Sequence, residues 1–128
     1  MTFNGKILLV DDEPHVRKFI GLVAGGLGSP VIIEAASGGE ALAKFAAESP
    51  DMVLLDVNLP DMDGLQVLAA IRTQDPEATV VMITSLANRQ TIEESLRLGA
   101  AGYIRKDTPK EAILAELEDI VRAKLEPT

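Results

Sequence analysis

Asp11, Asp12, Asp56, Thr84 and Lys106 are the side chains whose types could combine into a reaction centre: three carboxylates, a hydroxyl and an ammonium. The stretch Ile7–Pro14, ILLVDDEP, runs an apolar segment straight into Asp11, Asp12 and Glu13. Like charges about 6 Å apart repel by about 3 kcal/mol at an effective dielectric of about 20, so such a cluster needs a reason. Two reasons compete. The acids could sit at a helix start, where the macrodipole favours negative charge, or they could surround a cation. Cys is absent and the single His, His15, lies in the next segment, so the donors are oxygens. Oxygen donors select a hard cation, and Mg²⁺ is the first choice because it binds through one or two carboxylates and keeps several waters.

The rest of the chain must bring those residues together. Five short apolar runs recur at 6–10, 31–35, 52–56, 79–83 and 102–106. The first four are rich in Val, Ile and Leu, and most lack polar alternation, which suits parallel strands covered on both faces. Helical spacing fills the gaps. Val16, Phe19, Ile20 and Val23 form one stripe, and Ile113, Leu117, Ile120 and Val121 form another. Pro14 opens the first helix. Ser37 with Glu40, and Thr108 with Glu111, read as capping boxes, the second with Pro109 at the first helical position. Gly25, Gly26 and Gly28 close the first helix and Gly99 the fourth. The pattern predicts five strand–helix units in one α/β domain, with a parallel sheet and helices on both faces.

Ligands of such sheets bind beyond the carboxyl ends of the strands. Those ends carry Asp11-Asp12-Glu13, then Ala35-Ala36-Ser37, then Asp56, then Thr84-Ser85, then Lys106. The second strand offers nothing reactive, as expected of an edge. The order 2-1-3-4-5 would make strands 1 and 3 neighbours and put Asp11, Asp12 and Asp56 in one pocket.

Composition bounds the function. With 128 residues, 47% of them apolar, the chain can bury a core, and with 3% aromatics that core is aliphatic. A net charge of −8 without a basic stripe argues against direct nucleic-acid binding. No apolar stretch nears the ~20 residues of a membrane span, and the first residues lack a signal-peptide pattern. The expectation is a cytoplasmic protein of one domain, 1–128.

The motifs LLVDDEP, VLLDVNLPDMDG, MITS and GYIRKDTP, in this order, resemble receiver domains of two-component response regulators, in the chemotaxis-regulator-like superfamily. The resemblance spans nearly the whole chain. It implies a flavodoxin-like (βα)5 three-layer sandwich of order 2-1-3-4-5. It also implies that Asp56 accepts a phosphoryl group from a sensor histidine kinase or a His phosphotransfer protein. Asp12, Asp56 and the backbone carbonyl of Asn58 would hold Mg²⁺, with Asp11 assisting through water. Lys106 would pair with the phosphoryl oxygens and Thr84 would hydrogen-bond one of them. Thr84 and Tyr103 would then move together and reshape the face of helix 4, strand 5 and helix 5. A downstream protein or an output domain would read that face, with the receiver a monomer or weak homodimer.

Two departures from the family pattern stand out. Receivers often carry Lys-Pro with a cis peptide after strand 5, whereas this chain reads Lys106-Asp107-Thr108-Pro109. A cis bond before Asp would cost about 3–4 kcal/mol, so trans is expected. Two residues past Thr84 stands Leu86, an apolar side chain at a position that tunes phosphoryl lifetime in the family. Two other functions use similar residues. A haloacid-dehalogenase-type phosphohydrolase needs a second Asp two residues after the nucleophile, where this chain has Asn58. A pseudo-receiver or dinucleotide binder would not need the acid, hydroxyl and amine set, and no G-x-G-x-x-G follows strand 1. Elsewhere, His15 reads as a solvated helix residue, AGGLGS (24–29) as a helix exit, and Leu114 and Leu125 as surface or partner-facing positions.

Overall fold

The structure, a computed structural model, describes residues 1–85 and 88–126. Leu86 lies outside the described residues. Five strands, β1 (Lys6–Val10), β2 (Val31–Ala35), β3 (Met52–Leu55), β4 (Val80–Thr84) and β5 (Gly102–Arg105), form one parallel sheet in the order β2-β1-β3-β4-β5. The helices are α1 (Pro14–Ala24), α2 (Gly38–Glu48), α3 (Gly64–Gln74), α4 (Arg89–Arg97) and α5 (Lys110–Lys124). This is the parallel α/β domain that the sequence pattern predicts, in the flavodoxin-like arrangement that the receiver resemblance implies.

The apolar runs lack alternation because both faces of the sheet are covered. Ile7, Leu9, Leu54, Val81, Ile83 and Ile104 pack against Ile20 and Val23 of α1 and Ile113, Leu117 and Val121 of α5. Their strand neighbours Leu8, Val10, Val53, Leu55, Val80 and Met82 pack on the opposite side against Phe45 of α2 and Val67, Leu68 and Ile71 of α3. Alternate residues along each strand thus serve alternate layers. The edge strand β2 differs: Val31 and Glu34 are exposed, and only Ala35 of its five residues is buried.

Several details depart from the sequence expectations. Asp56 and Lys106 lie one residue beyond their strands, and β4 is shifted one residue later, to end at Thr84. Thr108 does not cap α5. Pro109 is the N-cap, with ψ of 142°, outside the helical region, so the helix begins at Lys110. Ser37 does accept a bond from the Glu40 amide at 3.2 Å, while the Glu40 carboxylate pairs with Lys44. A full capping box occurs instead at Asp63 and Gln66, at the start of α3. Leu114 and Leu125 are half-buried against the α1–α5 core layer rather than free surface residues. After α1 the chain makes a single 3-10 turn, Gly25–Leu27, and leaves through Gly28 at φ +146°, a conformation that glycine supplies without strain. Among the described residues there is no cis peptide bond, so Lys106-Asp107 is trans as expected. None of their helices is long and apolar enough to cross a membrane.

Candidate functional site

At the carboxyl edge of the sheet, three carboxylates converge. Asp11, Asp12 and Asp56 each offer an oxygen within 4.8 Å of the others. Topology produces this. β1 and β3 are hydrogen-bonded neighbours, with Val10 opposite Leu55, so the residues that follow them leave the sheet side by side. Asp11 and Asp56 are buried, at 6% and 4% exposure, whereas Asp12 is open to solvent. The pocket therefore has a rigid floor and a wet rim.

Lys106 closes the floor. Its Nζ lies 2.7 Å from Asp11 Oδ2 and 2.9 Å from Asp56 Oδ2, and its side chain is 17% exposed. The Lys106 amide donates to the Thr84 carbonyl at 3.0 Å, which anchors the loop that aims the side chain. The trans Lys106-Asp107 junction thus leaves the amine within reach of both acids. Thr84 is fully buried at the end of β4, and its side chain helps hold down the pKa of the Asp56 carboxyl. Asp11 Oδ1 accepts from the Glu13 amide at 2.9 Å, and Asp56 Oδ1 accepts from the Asn58 amide at 3.3 Å.

The electrostatics follow from burial. Loss of water pushes the Asp56 carboxyl above its ordinary 3.8, and the nearby Asp11 charge adds to this. The hydrogen bond and charge of Lys106, with the bond to Thr84, counteract without cancelling it. Burial alone would lower Lys106, but its bonds to Asp11 and Asp56 and their charges prevail and hold it above 10.5. Tyr103 on β5 is half-buried, packed with the Met82 layer. Burial and the Asp56 charge raise its phenol above 10.0. Thr84 and Tyr103 therefore both sense Asp56 from adjoining strands.

The donor chemistry suits a magnesium ion. All three acids present hard oxygens, and one ammonium leaves two of their negative charges uncompensated. Asn58 is exposed at the start of the loop before α3, and pairs with Asp63 across an isolated bridge. Gly64 lets that loop fold tightly over Asp56: a Cβ there would stand 2.1 Å from the Asp56 carbonyl oxygen.

Asp11, Asp12, Asp56, Asn58, Thr84 and Lys106 lie at this edge of the sheet, whereas Tyr103 lies within β5, opposite Met82. His15 is exposed, 3.5 Å from Glu13, and takes no part in the cluster. Two polar contacts around the site were not legible in the chain. The Asp61 carboxylate accepts bonds from the Gly38 and Gly39 amides, at 2.8 and 2.9 Å, and so ties the loop after β3 to the start of α2. Those amides, Gly39 foremost, hold the Asp61 carboxyl below its ordinary value. The Arg17 guanidinium donates to the Asp11 backbone carbonyl at 2.6 Å. Asp61 stands 23 and 22 positions from the glycines it binds, so local spacing does not announce those bonds.

Comparison with known proteins agrees with this geometry. Residues 7–118 match the family described as the response regulator receiver domain. The chain is 34% identical over 113 residues to the chemotaxis protein CheY of Listeria monocytogenes, covering 88% of this chain and 95% of that protein. It is 37% identical over 106 residues to the regulatory protein AtoC of Escherichia coli, covering 83% of this chain but 23% of that longer protein. A CheY-like receiver domain protein from Methanospirillum hungatei superposes with a TM-score of 0.87 at 28% identity, over 95% of this chain and 97% of that one. The BeF3-activated receiver domain of Klebsiella pneumoniae RstA superposes with a TM-score of 0.83 at 34% identity, over 95% and 99%. With the sheet order, the acid cluster and these matches in agreement, the chain belongs to the response regulator receiver domain family, whose members are signalling phosphoacceptors.

Proposed function

We propose that Asp56 is the phosphoacceptor of a signalling switch, charged by a histidine kinase or a His phosphotransfer protein. One observation carries this reading: Lys106 Nζ sits between Asp11 and Asp56, with Asp12 open to solvent beside them. In the reaction an Asp56 carboxylate oxygen attacks phosphorus. The phosphorus–nitrogen bond to the donor imidazole breaks, its electron pair stays on nitrogen, and an acyl phosphate remains on Asp56. Phosphoryl transfer of this kind has a loose transition state, so the protein contributes mainly position and charge.

Each side chain has a task. Asp12, Asp56 and the Asn58 carbonyl would hold Mg²⁺, with Asp11 assisting through water. When bound, the ion would neutralise charge on the phosphoryl oxygens. Lys106 exchanges its bond to Asp56 for one to a phosphoryl oxygen. The Thr84 hydroxyl donates to another. Tyr103 shares the sheet face of Met82, so a shift of Thr84 frees space on the side covered by α4. The face of α4, β5 and α5 would then change its balance between two shapes, which a downstream protein or output domain reads.

The test is incubation with Mg²⁺ and acetyl phosphate, alongside a chromogenic phosphoester. The proposal expects one phosphoryl group per chain and negligible turnover of the ester. Many turnovers of the ester would instead mark a phosphohydrolase, and no reaction with either would mark a pseudo-receiver.

A further inference from the structure

The edge strand β2 brings no reactive group to the pocket, yet it is linked to it. Glu34 on β2 is register partner to Leu9, and the next residue, Ala35, accepts a hydrogen bond from the Asp11 amide at 3.1 Å. Glu34 Oε1 in turn holds Arg17 Nε of α1 at 2.9 Å. Arg17 Nη1 donates to the Asp11 carbonyl at 2.6 Å. The backbone of Asp11 is thus held at both of its polar groups, its N–H by the Ala35 carbonyl and its C=O by Arg17. The loop of contacts closes through Glu34. Arg17 is 15% exposed, so its guanidinium is held in one place, while Glu34 is 53% exposed.

The Asp11 carbonyl belongs to the peptide that joins Asp11 to Asp12. Its orientation fixes where the next side chain, Asp12, can point. Arg suits the task because its rigid planar fork fixes the directions of two bonds, one to a carboxylate and one to a carbonyl, where a Lys ammonium would swivel.

We infer that Arg17, oriented by Glu34, is a positioning residue that sets the Asp11-Asp12 peptide for divalent-cation binding. The inference rests on the proposed magnesium-dependent function. Groups that orient metal ligands from behind commonly change metal affinity by about 10–100-fold when removed.

The experiment uses the full chain, titrated with Mg²⁺ in a calorimeter, as wild type, Arg17→Met, Glu34→Ala and the double variant. Urea unfolding without metal is measured for each. Arg17→Met should weaken Mg²⁺ binding by about tenfold, and Glu34→Ala by about threefold. The double variant should be no worse than Arg17→Met, because the two residues act through one contact. Exchange of the Asp11 amide in metal-free protein should quicken in both single variants. A purely structural role would lower urea stability and leave Mg²⁺ affinity unchanged, which would overturn the inference. Additive losses in the double variant would overturn the pairing. Should Arg17→Met not fold, the exposed Glu34→Ala decides: unchanged affinity there overturns the inference. Wild type that failed to bind Mg²⁺ would remove the proposed function itself, whereas variants equal to a binding wild type would remove this inference alone.

Discussion

At Asp56, burial and the Lys106 ammonium act in opposite directions, and burial prevails. The folded protein therefore holds the Asp56 proton more firmly than the unfolded chain does. As pH rises from 3.8 through the raised folded value, ionisation of this carboxyl removes stability. At neutral pH without metal, Asp56→Asn should then stabilise the fold by about 1 kcal/mol, read by urea denaturation. The proposed Mg²⁺ site needs the ionised form, so its affinity should fall as the medium is acidified through the Asp56 titration, which carbon NMR of the carboxyl can follow. Lys106 has the same sense in a higher pH window. Its pKa is raised, so its contribution is present in full below 10.5 and is lost as pH climbs through the higher folded value. Lys106→Met should cost about 1–3 kcal/mol at neutral pH by leaving Asp11 and Asp56 without their cation. Added Mg²⁺ should recover part of that loss.

At the scale of elements, the turn after β3 is the tightest constraint on the site. The Gly64 amide donates to the Val57 carbonyl at 2.7 Å, and a Cβ at Gly64 would meet the Asp56 carbonyl at 2.1 Å. Gly64→Ala should therefore destabilise the fold by about 2–4 kcal/mol in urea, and should weaken Mg²⁺ binding by moving Asn58. The sequence was most readable where apolar period and strand ends agree. Asp11, Asp56, Thr84 and Lys106 each follow an apolar run, so a parallel sheet brings them together whatever the exact strand limits. Helix starts were less readable: Thr108 before Pro109 reads as a cap, yet Pro109 keeps an extended ψ and the helix starts one residue later. Arg17 with Glu34, and Asp61 with Gly38 and Gly39, left no trace in the chain. Their bonds join residues 17 and 22–23 positions apart, and nothing in local spacing selects one charged residue over its neighbours.

For the whole molecule, a net charge of −8 and an acid cluster at one end of the sheet make cation binding a source of stability. At a Mg²⁺ concentration about tenfold above its dissociation constant, the gain should be about 1.4 kcal/mol. For a domain of this size that raises the melting temperature by about 3–6 °C in a calorimetric scan. Asp12→Ala should abolish most of the rise. The claim that matters most is that the cluster delivers phosphorus to one carboxylate. Intact-protein mass spectrometry after incubation with acetyl phosphate tests it most directly. Wild type should gain one phosphoryl group, dependent on Mg²⁺ and absent from Asp56→Asn. A phosphoryl group retained in that variant, or gained equally in the presence of a chelator, would contradict it.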